Sequence, residues 1–306
     1  MVSASALPRL GVSLTGCRLE LASIRRLAAR ADELGYPVIL VDGDASLLPA
    51  RPESPIYDAT ALLASALLAT RRARLGSIRL PVFWNAVLLA RSLSTLQELS
   101  SGRTLALLGV GSGRHEQNLD LPQREPGERV RHLDELLEAL RALFTGERVT
   151  RQGRYVRFCD VSITPPPEPV PLIVSAAGRR ALEVVERHAD VWDANVPPVR
   201  ERFLPLREAL GRQIETWIWV FARPGADLDS ALGDYRRYSP WFSDLPRGLL
   251  ADALLWGDGE RCAERLAALR QSLGIDAAIL DLAGLDEPAA QRALDALAPA
   301  KAGEIP

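Results

Sequence analysis

The chain contains few of the side chains that build metal sites and disulfide frameworks. Cysteine and histidine each occur three times among 306 residues. These residues are Cys17, Cys159, Cys262, His115, His132 and His188. No cysteine stands at ligand spacing from a histidine, and no HExxH pattern occurs. We therefore expect neither a metal site nor a disulfide framework.

Lysine is almost absent, and so is any long run of one charge. Lys301 is the only lysine, which argues against Schiff-base chemistry because a lysine must then project into the site. The net charge is −2, so a nucleic-acid partner is not expected. The chain also lacks a bilayer-spanning apolar stretch and an N-terminal targeting pattern. These absences favour a cytoplasmic protein that binds neither nucleic acid nor membranes.

Eight short apolar stretches alternate with segments of helical periodicity. They cover residues 9–14, 38–41, 74–80, 104–108, 172–174, 190–193, 216–221 and 277–282. Buried strands that are each followed by a helix predict an α/β fold, the (β/α)8 TIM barrel, over a single domain of residues 1–306. A doubly wound open sheet is the alternative. After the fourth helix the period changes to two, which predicts a small β-hairpin insertion at about residues 148–160.

An irregular segment at about residues 238–248 is rich in aromatic side chains. Trp241 and Phe242 lie in it, and Tyr235 and Tyr238 come shortly before or at its start. Such a loop is expected either to close over a substrate, to pack against the core or to contact another subunit. The nearby Trp219 lies on a predicted strand and is expected to fill the barrel.

A glycine-rich turn follows the fourth apolar stretch. Gly109, Gly111 and Gly113 occupy alternate positions, and Arg114 comes next. A turn of this kind lets backbone N–H groups approach an anion, which the arginine can pair with. The pattern is neither GxGxxG nor a Walker loop. A tight turn without a ligand is the alternative.

In a (β/α)8 barrel, every turn that follows a strand opens onto the same face. The turn at residues 42–44, the glycine-rich turn and the turn at residues 175–179 are therefore expected to share one mouth. Ser175 and Arg179 offer a hydroxyl donor and a guanidinium at the start of a helix, where free N–H groups attract anions. A helix cap and a turn without a ligand remain the alternative.

Several segments share their residues, order and spacing with one known family. They include Ala-Asp-Glu-Leu-Gly-Tyr (31–36), Leu-Gln-Glu-Leu-Ser-Ser-Gly-Arg (96–103), Gly-Val-Gly-Ser-Gly (109–113), Pro-Leu-Ile-Val-Ser-Ala-Ala-Gly (171–178) and His-Ala-Asp-Val-Trp (188–192). On these segments the chain resembles the bacterial luciferase-like superfamily of flavin- and deazaflavin-dependent oxidoreductases. The resemblance covers most of residues 9–282. It implies a (β/α)8 barrel with an insertion after the fourth helix, and reduced FMN or F420 bound at the mouth.

The resemblance also implies roles for particular residues. The cofactor phosphate is expected between two turns, whose residues are Gly111, Ser112, Gly113, Arg114, Ser175, Ala177, Gly178 and Arg179. Asp44, Ser77 and Trp84 are expected near the ring or the substrate. Asp44 stands at about the position of the family's histidine, where a carboxylate could act as a general base or hydrogen-bond the ring. Capping a short helix is the alternative role for Asp44.

The implied function is that of an oxidoreductase acting on a small organic substrate. It would use reduced FMN or F420, either as a monooxygenase that activates O2 or by hydride transfer. A flavin reductase or F420 reductase would supply the cofactor, and a homodimer is expected through the helices near the second and third strands. The alternative is a non-catalytic binding protein or the supporting subunit of a heterodimer. The absent histidine and a third strand shorter than the family's favour this alternative.

Overall fold

A ring of parallel strands surrounded by helices organises the chain. The computed structural model describes residues 9–16, 19–43, 57–164, 168–242 and 244–299. The strands are β1 (Arg9–Ser13), β2 (Val38–Asp42), β3 (Arg74–Ile78), β4 (Leu80–Pro81), β5 (Thr104–Gly109), β6 (Val149–Gln152), β7 (Arg157–Val161), β8 (Leu172–Ala176), β9 (Val191–Ala194), β10 (Glu215–Pro224), β11 (Leu255–Gly257) and β12 (Ala277–Asp281). The helices are α1 (Leu21–Glu33), α2 (Ala59–Leu68), α3 (Ala86–Leu99), α4 (Gly113–Asn118), α5 (Pro126–Leu143), α6 (Arg179–His188), α7 (Arg200–Glu208), α8 (Leu228–Tyr238), α9 (Arg247–Ala253), α10 (Gly259–Leu273) and α11 (Glu287–Ala296). None of the helices within these ranges is long and apolar enough to cross a membrane.

The ring closes because its first and last strands pair with each other. The order around it is β1-β2-β3-β5-β8-β9-β10-β12, and β12 pairs in parallel with β1. The strands β9 and β10 are also parallel neighbours, so no gap remains at that point. An open doubly wound sheet would leave two edge strands unpaired. The predicted (β/α)8 barrel is therefore confirmed.

Alternating side chains of the strands supply two separate apolar layers. In β5, Leu105 and Leu107 belong to the cluster inside the barrel, whereas Ala106 and Leu108 belong to the larger cluster between barrel and helices. All six residues of β5 are buried. Side chains of a strand point alternately to its two faces, so a strand covered on both sides is apolar throughout. This explains the continuous apolar stretches of the sequence.

The predicted hairpin insertion is confirmed between α5 and β8. The strands β6 and β7 form a separate antiparallel pair. The Glu135 carboxylate of α5 accepts hydrogen bonds from the backbone N–H groups of Tyr155 (2.8 Å) and Val156 (2.9 Å) at the turn. Three further elements were not anticipated from the sequence. They are the short helix α4 after the glycine-rich turn, the strand β11, which pairs with the end of β10, and the short helix α9 before β11.

The helices at the two ends of the described chain are joined to each other. Arg26 of α1 donates to Glu287 of α11 at 2.6 Å, and Arg30 pairs with Asp295 at 2.7 Å. The buried Tyr36 hydroxyl donates to a backbone carbonyl of α11 at 3.0 Å. These contacts hold α11 against α1 on the outside of the β12–β1 seam.

Candidate active site at the carboxyl ends of the strands

A cavity of about 750 Å³ opens at the carboxyl ends of the barrel strands. Asp42, Ile78, Gly109, Ser175 and Asp281 line it, and each comes from the last residues of a different strand. The side chains above them come from the turns that follow the strands and from α5, α6, α8 and α9. In (β/α)8 enzymes the active site lies at this end of the barrel. This cavity is therefore the candidate active site.

The turn between β5 and α4 contributes Gly111 and Ser112 to the cavity lining. Gly111 has a φ of +67°, a backbone conformation that favours glycine. Gly113 and Arg114 begin α4 and are not part of the lining. The buried Glu116 of the same helix lies 3.5 Å from Nη1 of Arg129 on α5. Gly111 and Ser112 of the turn thus line the cavity, and the helix α4 that follows is attached to α5 through Glu116.

The turn between β8 and α6 brings Ser175, Ala177, Gly178 and Arg179 to the same cavity. Gly178 caps α6 without any side-chain hydrogen bond, and the first turn of this helix has no acidic residue. The first N–H groups of a helix lack partners within the helix, and its dipole attracts negative charge there. The structure thus brings together the two turns that the sequence singled out, and the second has the properties of an anion-binding helix end.

Three arginines give this side of the cavity a positive charge. Arg129, Arg179 and Arg180 all line it. Arg180 extends over Gly127 at the start of α5, where a β-carbon would lie 3.2 Å from its Nη1. Within the described part of the chain, Arg179 and Arg180 form no ion pair, whereas Arg129 is engaged by the buried Glu116. Two exposed guanidinium groups are therefore available to an anionic ligand.

A buried ion pair spans the floor of the cavity. Arg79 follows β3, and its Nε donates to Oδ2 of Asp193 on β9 at 2.9 Å. Nε1 of Trp219 on β10 donates to the other carboxylate oxygen at 2.6 Å. The Arg79 guanidinium also lies 5.1 Å from the centre of the Trp219 ring, which is within the range of a cation–π contact. Because β10 lies opposite β3 in the ring, these side chains cross the full width of the barrel.

The ion pair is unequally exposed. Asp193 is fully buried, whereas 29% of the Arg79 side chain is exposed. Arg79 and Trp219 line the cavity, and Asp193 lies beneath them. The Arg79 side chain also covers Gly109, where a β-carbon would lie 3.5 Å from both its Cβ and its Cδ. The Arg79 guanidinium thus lies at the floor of the cavity, and the buried Asp193 carboxylate beneath it fixes its orientation and balances its charge.

A carboxylate with hydroxyl neighbours lies at the end of β12. Asp281 is 7% exposed and lines the cavity. Its Oδ2 accepts a hydrogen bond of 2.6 Å from the Ser239 hydroxyl, and its Oδ1 accepts one of 2.9 Å from the backbone N–H of Ala283. Thr15, which follows β1, also lines the cavity, and its hydroxyl is hydrogen-bonded to that of Ser13.

The predicted aromatic loop lies at the rim of the cavity. Trp241 and Phe242 are part of the lining, together with Tyr235 of α8. The Tyr235 hydroxyl accepts a 2.7 Å hydrogen bond from the backbone N–H of Phe242, which attaches the loop to α8. Burial raises the pKa of Tyr235 well above its ordinary value. Trp241 is 58% exposed, so it presents an open apolar face at the mouth.

The three residues expected near the ring are placed differently. Asp44 lies outside the described residues. The Ser77 hydroxyl donates to the carbonyl of Ala59 at 3.1 Å and is buried under α2, because side chains alternate along β3 and Ile78 faces the barrel interior. Trp84 packs against the cluster between barrel and helices. Ser77 and Trp84 do not line the cavity, and we leave both out of the proposed site.

The described histidines lie away from the cavity. His132 of α5 stacks on Tyr155 of the hairpin, with ring centres 5.3 Å apart, and burial lowers its pKa to about 4. His188 is hydrogen-bonded to Asp134 at 2.8 Å. Across the ranges that the structure covers, no group of three histidine, cysteine or acidic side chains is arranged to hold a metal ion.

Two relatives show the sequence similarity. An uncharacterized protein of Mycobacterium tuberculosis is 38% identical over 154 residues, which is 49% of this chain and 54% of that protein. An F420-dependent glucose-6-phosphate dehydrogenase of Intrasporangium calvum is 30% identical over 220 residues, or 65% of this chain and 66% of that enzyme. The matched part thus spans about half the length of the mycobacterial relative and about two thirds of the dehydrogenase.

Two solved structures share the fold. An F420-dependent secondary alcohol dehydrogenase in complex with an F420-acetone adduct matches with a TM-score of 0.81 at 17% identity, covering 96% of this chain and 99% of that one. The monooxygenase RslO1 from Streptomyces bottropensis matches with a TM-score of 0.78 at 21% identity, covering 95% and 97%. The family model described as luciferase-like monooxygenase matches residues 1–212. The chain therefore belongs to the luciferase-like monooxygenase family of oxidoreductases.

Proposed function

We propose that this protein is an oxidoreductase that binds F420 in the cavity and transfers hydride between this cofactor and a small organic substrate. The observation that carries the proposal is the α6 N-terminus, which begins at a glycine N-cap, together with Arg179 and Arg180, which form no ion pair within the described residues, beside a largely apolar cavity. A ligand with an anionic end and a planar apolar ring matches both parts. The relatives named above include enzymes that use F420.

The donor groups in the two turns fit a phosphate. In the proposed arrangement, backbone N–H groups at Gly178 and Arg179, with the hydroxyls of Ser112 and Ser175, donate to the phosphate oxygens. Arg179 adds a guanidinium that can donate in bidentate fashion. Gly111, Gly113 and Arg114 shape the turn opposite, and Ala177 leaves room because its side chain is small. These residue roles are part of the proposal.

The charge of this wall favours F420 over FMN. F420 carries a phosphodiester and an acidic tail, whereas FMN ends in a single phosphate. One phosphate can be neutralised by Arg179 and the helix end, which leaves Arg180 for further negative charge along the rim. When bound, F420 would supply the hydride donor or acceptor. The apolar and aromatic walls would exclude water from the ring face.

Titration under anaerobic conditions tests this assignment. The purified protein is titrated with oxidised F420, oxidised FMN and reduced FMN while protein and cofactor fluorescence are followed. We expect F420 to bind most tightly, and Arg179→Ala and Arg180→Ala each to weaken F420 binding by about tenfold, because each removes a charge-assisted contact. Arg148→Ala in the hairpin, whose arginine pairs with Asp160 on the surface, is the matched control and should bind as the wild type does. Equal F420 affinity in all three variants would contradict the proposed anion site.

A flavin-dependent monooxygenase is the second candidate. The family description and the RslO1 structure favour it. In this case reduced FMN, delivered by a flavin reductase, would bind more tightly than F420, and a substrate would stimulate oxygen uptake. Failure to bind any of the three cofactors would instead support a non-catalytic binding protein or a supporting subunit.

We further propose a homodimer formed through α2 and α3. Three leucines on these helices, Leu68, Leu88 and Leu99, are 67%, 56% and 46% exposed. A contiguous apolar patch is typical of a surface that binds another subunit, and we propose that these leucines contribute to such a patch. Sedimentation analysis of wild type and Leu68→Arg tests the proposal, with a shift to monomer expected for the variant. A wild type that sediments as a monomer would contradict it.

A further inference from the structure

One part of the cavity, which we call the aromatic compartment, lies against a cluster of apolar and aromatic side chains. The aromatic side chains of Phe221, Tyr235, Trp241 and Phe242 form its wall, and Leu250 of α9 completes it. Phe221 and Tyr235 meet edge to face, with ring centres 5.4 Å apart. Such a wall favours an apolar ligand. The polar groups within this compartment must therefore account for the orientation of that ligand.

Asp281 is a buried carboxylate that lines the cavity beside this wall. Its carboxylate forms no ion pair with any arginine in the described ranges, and the two donors that it has there, the Ser239 hydroxyl and the Ala283 N–H, are both neutral. Each carboxylate oxygen can accept more than one hydrogen bond. Since Asp281 is 7% exposed and that surface lies in the cavity, a donor on a bound ligand can reach the remaining acceptor positions.

The charges elsewhere in the cavity indicate which kind of hydrogen-bond donor the ligand carries. A cationic ligand would be repelled by Arg179 and Arg180, which line the same cavity and form no ion pair in the part of the chain that the structure describes. A neutral hydroxyl group satisfies the carboxylate without adding charge, and its carbon skeleton can contact the aromatic wall. Ser13 of β1 pairs in register with Asp281 of β12. Thr15, two residues after Ser13, also lines the cavity and adds a second polar group here.

We infer that Asp281, orientated by Ser239, binds the hydroxyl group of an apolar alcohol substrate and accepts its proton during oxidation. This inference rests on the proposed function for the hydride acceptor. In the step, the carbon–hydrogen bond of the alcohol breaks and its electron pair leaves as hydride to oxidised F420. The hydroxyl proton moves to the Asp281 carboxylate, and the carbon–oxygen single bond becomes a carbonyl. Asp281 thereby supplies a base on β12.

Ligand binding without cofactor tests the hydroxyl subsite independently of F420. Cyclohexanol and cyclohexyl methyl ether share an apolar ring, but only the alcohol can donate a hydrogen bond. We expect calorimetry to show that the wild type binds the alcohol about tenfold more tightly, and that Asp281→Asn, whose neutral amide oxygen is a weaker acceptor, lowers this preference severalfold. Ser239→Ala should reduce it without abolishing it, and it keeps the test decisive if the Asp281 variant does not fold. Asp252→Asn on the exposed side of α9 is the control and should keep the wild-type preference.

Turnover with oxidised F420 then tests the proton transfer. With cyclohexanol as the probe substrate, we expect Asp281→Asn to lower kcat by at least about 100-fold with a much smaller change in KM, because a general base acts in the transition state. A purely structural role would change stability and KM rather than kcat alone. The inference is overturned if the wild type does not prefer the alcohol, or if Asp281→Asn keeps this preference and kcat. Failure of the wild type to bind F420 would contradict the proposed function, and the alcohol preference would still decide the subsite.

Discussion

Replacing Arg79 by methionine removes one half of the ion pair that crosses the barrel floor. Methionine keeps much of the volume but neither the charge nor the Nε donor, so Asp193 retains only the hydrogen bond from Trp219. Removing one partner of a buried pair costs about 3–5 kcal/mol, because it leaves the other charge uncompensated. The Arg79 side chain is 29% exposed, so water partly screens the pair and we expect the lower end, about 3 kcal/mol.

Replacing the other partner of the ion pair, Asp193, should destabilise the protein less. Asp193→Asn leaves a cation that already contacts solvent through the cavity, and asparagine can still accept the hydrogen bond from Trp219. We expect about 1–2 kcal/mol for this variant. The double variant has no uncompensated charge, so its loss should be at least about 1.5 kcal/mol smaller than the sum of the two single losses.

Urea unfolding at neutral pH gives the free energy of unfolding of the two single variants and of the double variant. The midpoint of thermal unfolding should fall by about 6 °C for Arg79→Met. Arg148→Met, at a surface pair with Asp160, provides the control and should leave unfolding unchanged. Strictly additive losses in the double variant would refute the argument that the floor is an ion pair whose halves depend on each other.

Three further predictions concern pH and backbone crowding. Hydrogen bonding from Arg26 holds the pKa of Glu287 at about 2 instead of 4.5. The ionised Glu287 therefore stabilises the folded state fully above about pH 4.5, and this stabilisation is lost as the pH falls toward 2. Glu287→Gln should remove that part of the acid dependence of the urea midpoint. Burial lowers the pKa of His132 to about 4 from 6.5. Only the unfolded state then takes up the proton as pH falls from 6.5 to 4, and His132→Phe should flatten the loss of stability across this window. Gly43→Ala would place a β-carbon 2.8 Å from the carbonyl oxygen of Ile78 and should destabilise the protein by about 1–3 kcal/mol in thermal unfolding; an unchanged midpoint would contradict this reasoning.

The barrel could be predicted from the sequence because its strands are covered on both faces. Continuous apolar stretches such as residues 104–108 are typical of such strands, and the helices between them show clear periodicity. The strand β11 was missed because three residues are too few for a pattern. The short helix α9 was missed because the proline-flanked segment before it obscured its start.

The candidate site was predictable only where a local pattern marked it. The glycine turn and the residues around Ser175 could be identified because turns after strands share one face. The contact between Arg79 and Asp193 joins residues 114 positions apart, and no local pattern connects them. Trp219 was expected to fill the barrel; it packs against the cluster inside the barrel and also lines the cavity above it.

One signal in the sequence could have identified the buried carboxylates. Residues that face the barrel interior recur at every second position. Continuing from Val191 reaches Asp193, and continuing from Ile279 reaches Asp281. An acidic residue that follows a run of inward-facing apolar residues marks the level in the barrel where the apolar core ends and the cavity begins. The same register places Ser77 on the outer face, which its position near a strand end does not reveal.

The seam between β1 and β12 has a consequence for how the protein is made. Residue 9 pairs with residue 277, so a nascent chain cannot complete the cylinder until β12 has left the ribosome. During that interval β1 and β10 expose unpaired backbone groups that can recruit strands of other chains. Asp281 is carried by β12, so closure of the cylinder and arrival of the base proposed here are a single event, and a nascent chain that lacks β12 lacks both.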